Sequence, residues 1–229
     1  MAEVFRLKDA AKYTTGEFDH QNDAWDNLQS TLTAKQLDKF KFDFRSNVKP
    51  VAKFPLDVPY YYQRDSVTWH GDRMCQSSAI AMRIKQIDPS LIKDDDDYLE
   101  TVLKYGDTVS QSAHQKALTE LGLKATFSTS GTKDKVCKLL DSGIAVPIGI
   151  LHKGPSSSPS GGGHWVTLIG YNSSCFYVHD PYGELNLVAG GYSISNKNAG
   201  KCQEYTIKNL LKRWLVQSDS DGWYWEISR

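Results

Sequence analysis

The chain has 229 residues, and Lys plus Arg balance Asp plus Glu at 27 each. That length suits one medium domain with a small appendage, and 40% apolar with 24% charged residues supports a packed core and excludes a disordered chain. The balanced charge carries no electrostatic footprint for nucleic acid or for an anionic membrane, so neither is expected as a partner. Met1 to Arg6 is not a basic start followed by an apolar run, and no stretch approaches about 18 apolar residues. The expectation is a soluble protein, made in a cytoplasm without a Sec-type signal peptide.

Residues 1–46 read as a helical hairpin. Asp19 is a candidate N-cap for a helix carrying Ala24, Trp25 and Leu28 on one face. Thr33 to Gln36 is a capping-box pattern opening a second helix with Leu37, Phe40 and Phe44 as its stripe. Residues 47–53 read as an extended linker, and a single domain is expected over 54–229. Within that domain, Val58 to Gln63 is a short extended segment. A helix is predicted from Cys75 to Ile87 and stopped by Pro89, followed by helices over 95–105, 113–121 and 133–142. Thr132 caps the last of these, and Gly122 and Gly143 close the last two. The second half turns to β-rich segments at 144–151, 164–171 and 175–180, with a hairpin turn at Tyr171 to Ser174. A helix from Thr206 to Leu215 and a strand from Gly222 to Ile227 complete the chain. Helices first and antiparallel strands later predict an α+β fold. The acidic run Asp94 to Asp97 fits a helix N-terminus, and it lacks the Gly and Glu of a calcium loop.

The four cysteines have no metal-ligand spacing and no Cys-x-x-Cys, so neither a metal site nor a disulfide framework is expected, and no cofactor is called for. Cys137 and Cys175 fall on apolar faces and read as core residues, and Cys202 falls in a polar loop. Cys75 differs, because it stands where a loop becomes a helix. Free N–H groups and the helix dipole there favour a thiolate. His164 opens an apolar strand directly after three glycines, which let the chain approach closely in the wall of a cleft. Asp180 ends the following strand. On adjacent antiparallel strands the two ends lie side by side, so Asp180 can accept the His164 ring N–H and fix its tautomer. His179, its neighbour, alternates to the opposite face. His152 and His70 fall in or near loops bordering the same cleft.

The order of Val58-Pro59-Tyr60-Tyr61-Tyr62-Gln63, Cys75 with Ser77, Ser78, Ala79 and Met82, Gly163-His164-Trp165-Val166 and His179-Asp180-Pro181-Tyr182-Gly183 resembles the papain-like cysteine peptidases related to the bacteriocin-processing, double-glycine leader peptidases. The likeness is strongest to their stand-alone bacterial and phage members. It implies a papain-like peptidase fold with Cys75 as nucleophile, His164 as base, Asp180 as orienting residue and Gln63 as the side-chain donor of the oxyanion hole. Two departures stand out. Gln76 replaces the glycine that often follows the nucleophile, and no transporter domain accompanies the motifs. The N-terminal hairpin is similar to a short module of cyanobacterial and phage wall-active proteins.

The reading that follows is a cysteine peptidase acting on a peptide or on a peptidoglycan stem peptide, released on lysis or associated with a virion and its structural proteins. Trp69, His70, Gly163 and Trp165 are the candidate substrate-binding residues. The Pro-, Ser- and Gly-rich segment from His152 to Gly163 reads as a mobile lid. The alternatives are a catalytically idle papain-like domain serving as a binding or structural part, and a protein-processing protease.

Overall fold

A computed structural model of the chain describes residues 54–229. The hairpin expected over 1–46 and the linker over 47–53 lie outside the described residues. The described part is α+β, as the order of predicted elements required. Helix α1 spans Cys75–Ile87, the predicted bounds. Ala79, Ile80, Ala81, Met82 and Ile84 are fully buried along it, and each large side chain among them contributes about 1.5–3 kcal/mol by leaving water. Helix α2 (Asp95–Leu103) begins in the acidic run, where the Asp94 carboxylate accepts the Asp97 N–H at 3.0 Å. The run is thus a cap and an acidic first turn. Helix α3 (Gln111–Glu120) is capped by Ser110, and Gly122 follows with φ +71°. Helix α4 (Lys133–Asp141) is capped by Thr132, which accepts from Lys135 N–H, and is closed by Gly143 at φ +78°.

The strands are β1 (Lys124–Gly131), β2 (Val146–Ile150), β3 (His164–Tyr171), β4 (Cys175–His179), β5 (Glu184–Leu185), β6 (Tyr192–Ile194), β7 (Gln203–Thr206) and β8 (Gly222–Ser228), with helix α5 (Ile207–Trp214) before the last. Six of them form one antiparallel sheet in the order β1-β8-β2-β3-β4-β7, and β5 pairs with β6 apart from it. The turn between β3 and β4 is held by the Asn172 side chain, which accepts from the N–H groups of Ser174 and Cys175. Strands β1, β5, β6 and β7 were not anticipated. β1 is a Ser/Thr-rich edge strand that pairs only with β8, so its apolar signal is confined to Ala125 and Phe127. Residues 58–62 run extended without joining the sheet, and Gln63 starts a 3-10 turn.

One core lies where α4 and α5 meet the sheet, with Leu140, Leu210 and Trp214 against Ile148, Val166 and Phe176. A second packs α1, α2 and α3 against Trp165, Trp225 and Ile227, and a small third joins Val58 and Met82 to Ala145 and Ile169. Polar ties fix α1 on the sheet: Thr167 Oγ1 donates to Ala79 O at 2.9 Å, and Arg83 Nη2 donates to Ile227 O at 2.9 Å. Cys137 and Cys175 are buried as expected. No helix among the described residues is long and apolar enough to cross a membrane.

Behind α1, Ser78 Oγ donates to the buried Asp95 carboxylate at 2.5 Å. Burial outweighs that bond and, with the charge of Asp96, pushes the Asp95 carboxyl up to about 7. A carboxyl raised in the folded state stabilises below the unfolded value near 3.8 and loses that stability as pH rises towards 7. Asp95→Asn is therefore expected to stabilise the protein at pH 8, with a ceiling of about 4 kcal/mol set by the shift, and to have little effect at pH 4. Urea unfolding of both proteins at the two pH values checks this.

Candidate active site

Two strand ends and one helix start build the site. Thr167 pairs with His179 across β3 and β4, which sets Asp180 opposite Val166, on the face that His164 shares. His164 Nε2 meets Asp180 Oδ1 at 2.8 Å. The Cys75 thiol at the start of α1 lies beside the same ring and, with Asp180, raises its pKa. Cys75 is half-buried, His164 is buried, and Asp180 is wholly out of solvent. Met74 at the N-cap of α1 offers no side-chain acceptor, so the first N–H groups of the helix, that of Cys75 included, are uncapped.

The buried carboxylate is fully partnered. Asp180 accepts Tyr205 OH at 2.8 Å, Tyr182 N–H at 3.0 Å and Tyr192 OH at 3.2 Å, besides the imidazole. Its backbone is gripped as well: its N–H donates to Gly200 O at 2.9 Å, and its carbonyl accepts Tyr60 OH at 3.0 Å. Burial alone would disfavour a charged His164. The charge and hydrogen bond of Asp180, together with those of Cys75, outweigh that penalty and raise its pKa.

Each of the other histidines has a distinct place. His179 Nε2–H donates to Val58 O at 3.0 Å, and its Nδ1 accepts Cys202 N–H at 3.0 Å, so it faces away from the pair as strand alternation predicted. Burial pushes it down to about 4, and it holds the extended 58–62 segment to β4 as a neutral ring. Cys202, exposed in its polar loop, contributes its backbone to that tie at a φ of +51°. His152 stands edge-on to His164 with ring centroids 5.6 Å apart. Burial, and then the neighbouring His164 charge, lower it to about 4, so it borders the site as a neutral ring. His70 is buried in a 3-10 turn, stacked under the exposed Trp69 with centroids 3.8 Å apart.

A cavity of about 430 Å³ adjoins Cys75 and His164. Of the four candidate substrate residues, Gly163 and Trp165 line it, whereas Trp69 and His70 are not on its walls. The segment 152–163 is not a free lid. Lys153 and Ser160 exchange two backbone hydrogen bonds, and Ser156 N–H reaches Val188 O. Arg213, buried on α5, donates to the carbonyls of Leu151, Lys153, Gly154 and Leu187. Gln63 is buried too. Its Nε2 donates to Gly71 O at 2.8 Å, which fastens the turn ahead of Cys75 and leaves one amide N–H uncommitted.

Sequence reasoning missed Tyr60, Tyr192, Gly200, Tyr205 and Arg213. The twelve tyrosines were the available signal, and nothing local set these apart from core aromatics.

A thiol on a helix start facing an imidazole at a strand start, with a buried carboxylate behind it, is the arrangement of the papain-like class. The model of the Peptidase_C39-like family matches residues 55–221, and the chain belongs to that family. A crystal structure from Bacillus anthracis, described as a C39-like peptidase, shares the fold with a TM-score of 0.50 at 16% identity, over 76% of this chain and 96% of that one. No curated protein matches the sequence.

Two expectations follow from this geometry. A β-carbon on Gly200 would lie 1.8 Å from Asp180 O, so Gly200→Ala must displace Asp180 or the loop. Tyr205→Phe removes one donor from the buried carboxylate and should cost about 1–3 kcal/mol of stability, seen in urea midpoints, with Gly200→Ala at least as damaging. In NMR titrations His164 should lose its proton at a higher pH in the wild type than in Cys75→Ala, and lowest of the three in Asp180→Asn. Equal titration in all three would show that neither partner acts on the ring.

Proposed function

We propose that this chain is a cysteine peptidase, with Cys75 as nucleophile, His164 as base and Asp180 as the residue that orients the base. The observation that carries the reading is the imidazole of His164, held between the Cys75 thiol and a carboxylate withdrawn from solvent. An imidazole raised by both neighbours can hold a proton taken from the thiol. Cys75 attacks the substrate carbonyl and the C–N bond breaks as His164 delivers its proton to the leaving amine, giving an acyl-enzyme. His164 then takes a proton from water, which attacks the acyl group and frees Cys75. The uncapped Cys75 N–H and the spare amide N–H of Gln63 are the proposed donors to the oxyanion. Losing one such donor costs about 2.7–4 kcal/mol of barrier.

The finer reading is an enzyme directed at cell-wall peptides, encoded by a phage or a bacterium and released on lysis or carried on a virion. It rests on the likeness to stand-alone bacterial and phage members of the superfamily. Incubation with purified peptidoglycan, followed by mass spectrometry of the released fragments, tests it. New peptide termini are expected from the wild type and none from Cys75→Ala or His164→Ala, losses of several orders of magnitude. Asp180→Asn should retain more activity than either, because an amide can still orient an imidazole. Cleavage of unstructured proteins but of no wall type would assign a protein-processing protease. In iodoacetamide labelling at neutral pH, Cys75 should react ahead of Cys137, whose thiol burial pushes up to about 11. An inert Cys75 together with no product would leave a binding or structural role.

A further inference from the structure

The cavity beside Cys75 and His164 is walled mostly by apolar groups, with Gln76, Gln111 and Gln217 among them. Its floor is β2 at Gly149 and Ile150, and Trp165, Trp214 and Trp223 rise around it. A β-carbon on Gly149 would fill the space between Trp165 and the Trp223 Cβ, 3.4 Å from each, so the glycine keeps the floor open. At the rim, Val109, Val216 and Trp223 are 50%, 44% and 47% exposed. They come from three separate places: the segment before α3, the segment after α5, and β8. A single apolar side chain left in water is ordinary. Three that converge on the mouth of one cavity, next to a nucleophile, make a recognition surface.

The charged groups bordering the cavity are committed elsewhere. The Arg213 guanidinium is spent on four loop carbonyls, and Asp221 Oδ2 accepts Gln217 N–H at 2.7 Å. Asp221 Oδ1 has no partner and is shielded from solvent, so an amine could reach it only after rearrangement.

We propose that this cavity receives a bulky apolar side chain, aromatic or branched aliphatic, from a substrate residue next to the bond cleaved at Cys75. The inference rests on the peptidase reading above and specifies its substrate. A glycine in that position would leave the three tryptophans facing an unfilled space.

The test separates binding from chemistry. The full-length Cys75→Ala protein is titrated, by calorimetry, with acetylated Ala-Xaa-Ala amides in which Xaa is Phe, Leu, Gly, Lys or Asp. Phe and Leu should bind about ten-fold or more tightly than Gly, the discrimination that apolar pockets of this kind achieve. Trp223→Ala and Val216→Glu, both at the exposed rim and each made in the Cys75→Ala background, should erase that difference. The proposal is overturned if Gly binds as well as Phe and Leu, if Lys binds best and so points to Asp221, if the rim variants leave the preference intact, or if no peptide binds at millimolar concentration. Labelling and hydrolysis by the wild type decide the peptidase reading independently, so either idea can fail while the other stands.

Discussion

A carboxylate with no access to water has to be surrounded by donors, and much of this structure can be read as the consequence of that requirement at Asp180. An unpaired charge in the interior costs several kcal/mol, so the group persists only where hydrogen bonds replace its water. The donors come from far apart in the chain: His164 from β3, Tyr182 from the turn after β4, Tyr192 from β6 and Tyr205 from β7. The chain after β4 is therefore part of the site. It returns two phenols to the carboxylate and, through Gly200, a carbonyl to its backbone.

The same logic recurs one layer out. Arg213 is buried among carbonyls, and its donors hold the segment that leads into His164. His179 uses both ring nitrogens to pin the 58–62 segment and the Cys202 loop to β4. Gln63 fastens the turn before Cys75. A buried polar group with its partners present, as His179 has on both ring nitrogens, rigidifies its surroundings, because moving it strands a donor or an acceptor. The thiol and imidazole thus belong to separate elements that meet in a fixed relation.

Rigidity around the pair contrasts with the openness beside it. Gly149 and the three tryptophans leave a cavity that no side chain of the described residues fills.

Much of this was legible in the chain. The acidic run from Asp94, the cap at Thr132 and the glycines after the helices act over a few residues, so they mark helix ends wherever the helices go. The bounds of α1 and β3 came from such local signals, and with them the positions of Cys75 and His164. Strand alternation separated Asp180 from His179 before any coordinates. The polar edge strand β1 and the short β5, β6 and β7 carried no comparable signal, since each is stabilised by a partner distant in sequence. For the same reason nothing local distinguished Tyr192, Tyr205 or Arg213, whose hydroxyl and guanidinium groups take meaning only from a carboxylate and carbonyls that the fold brings to them. The sequence by itself determined the helices, the strands β2, β3, β4 and β8 and the cap at Thr132, and it singled out Cys75, His164 and Asp180 as candidates, because those depend on neighbours within a turn or two. Only the tertiary structure decided which phenols and which arginine secure the site, that the 152–163 segment is tied down, and where the cavity opens, because each depends on contacts between residues far apart in the chain.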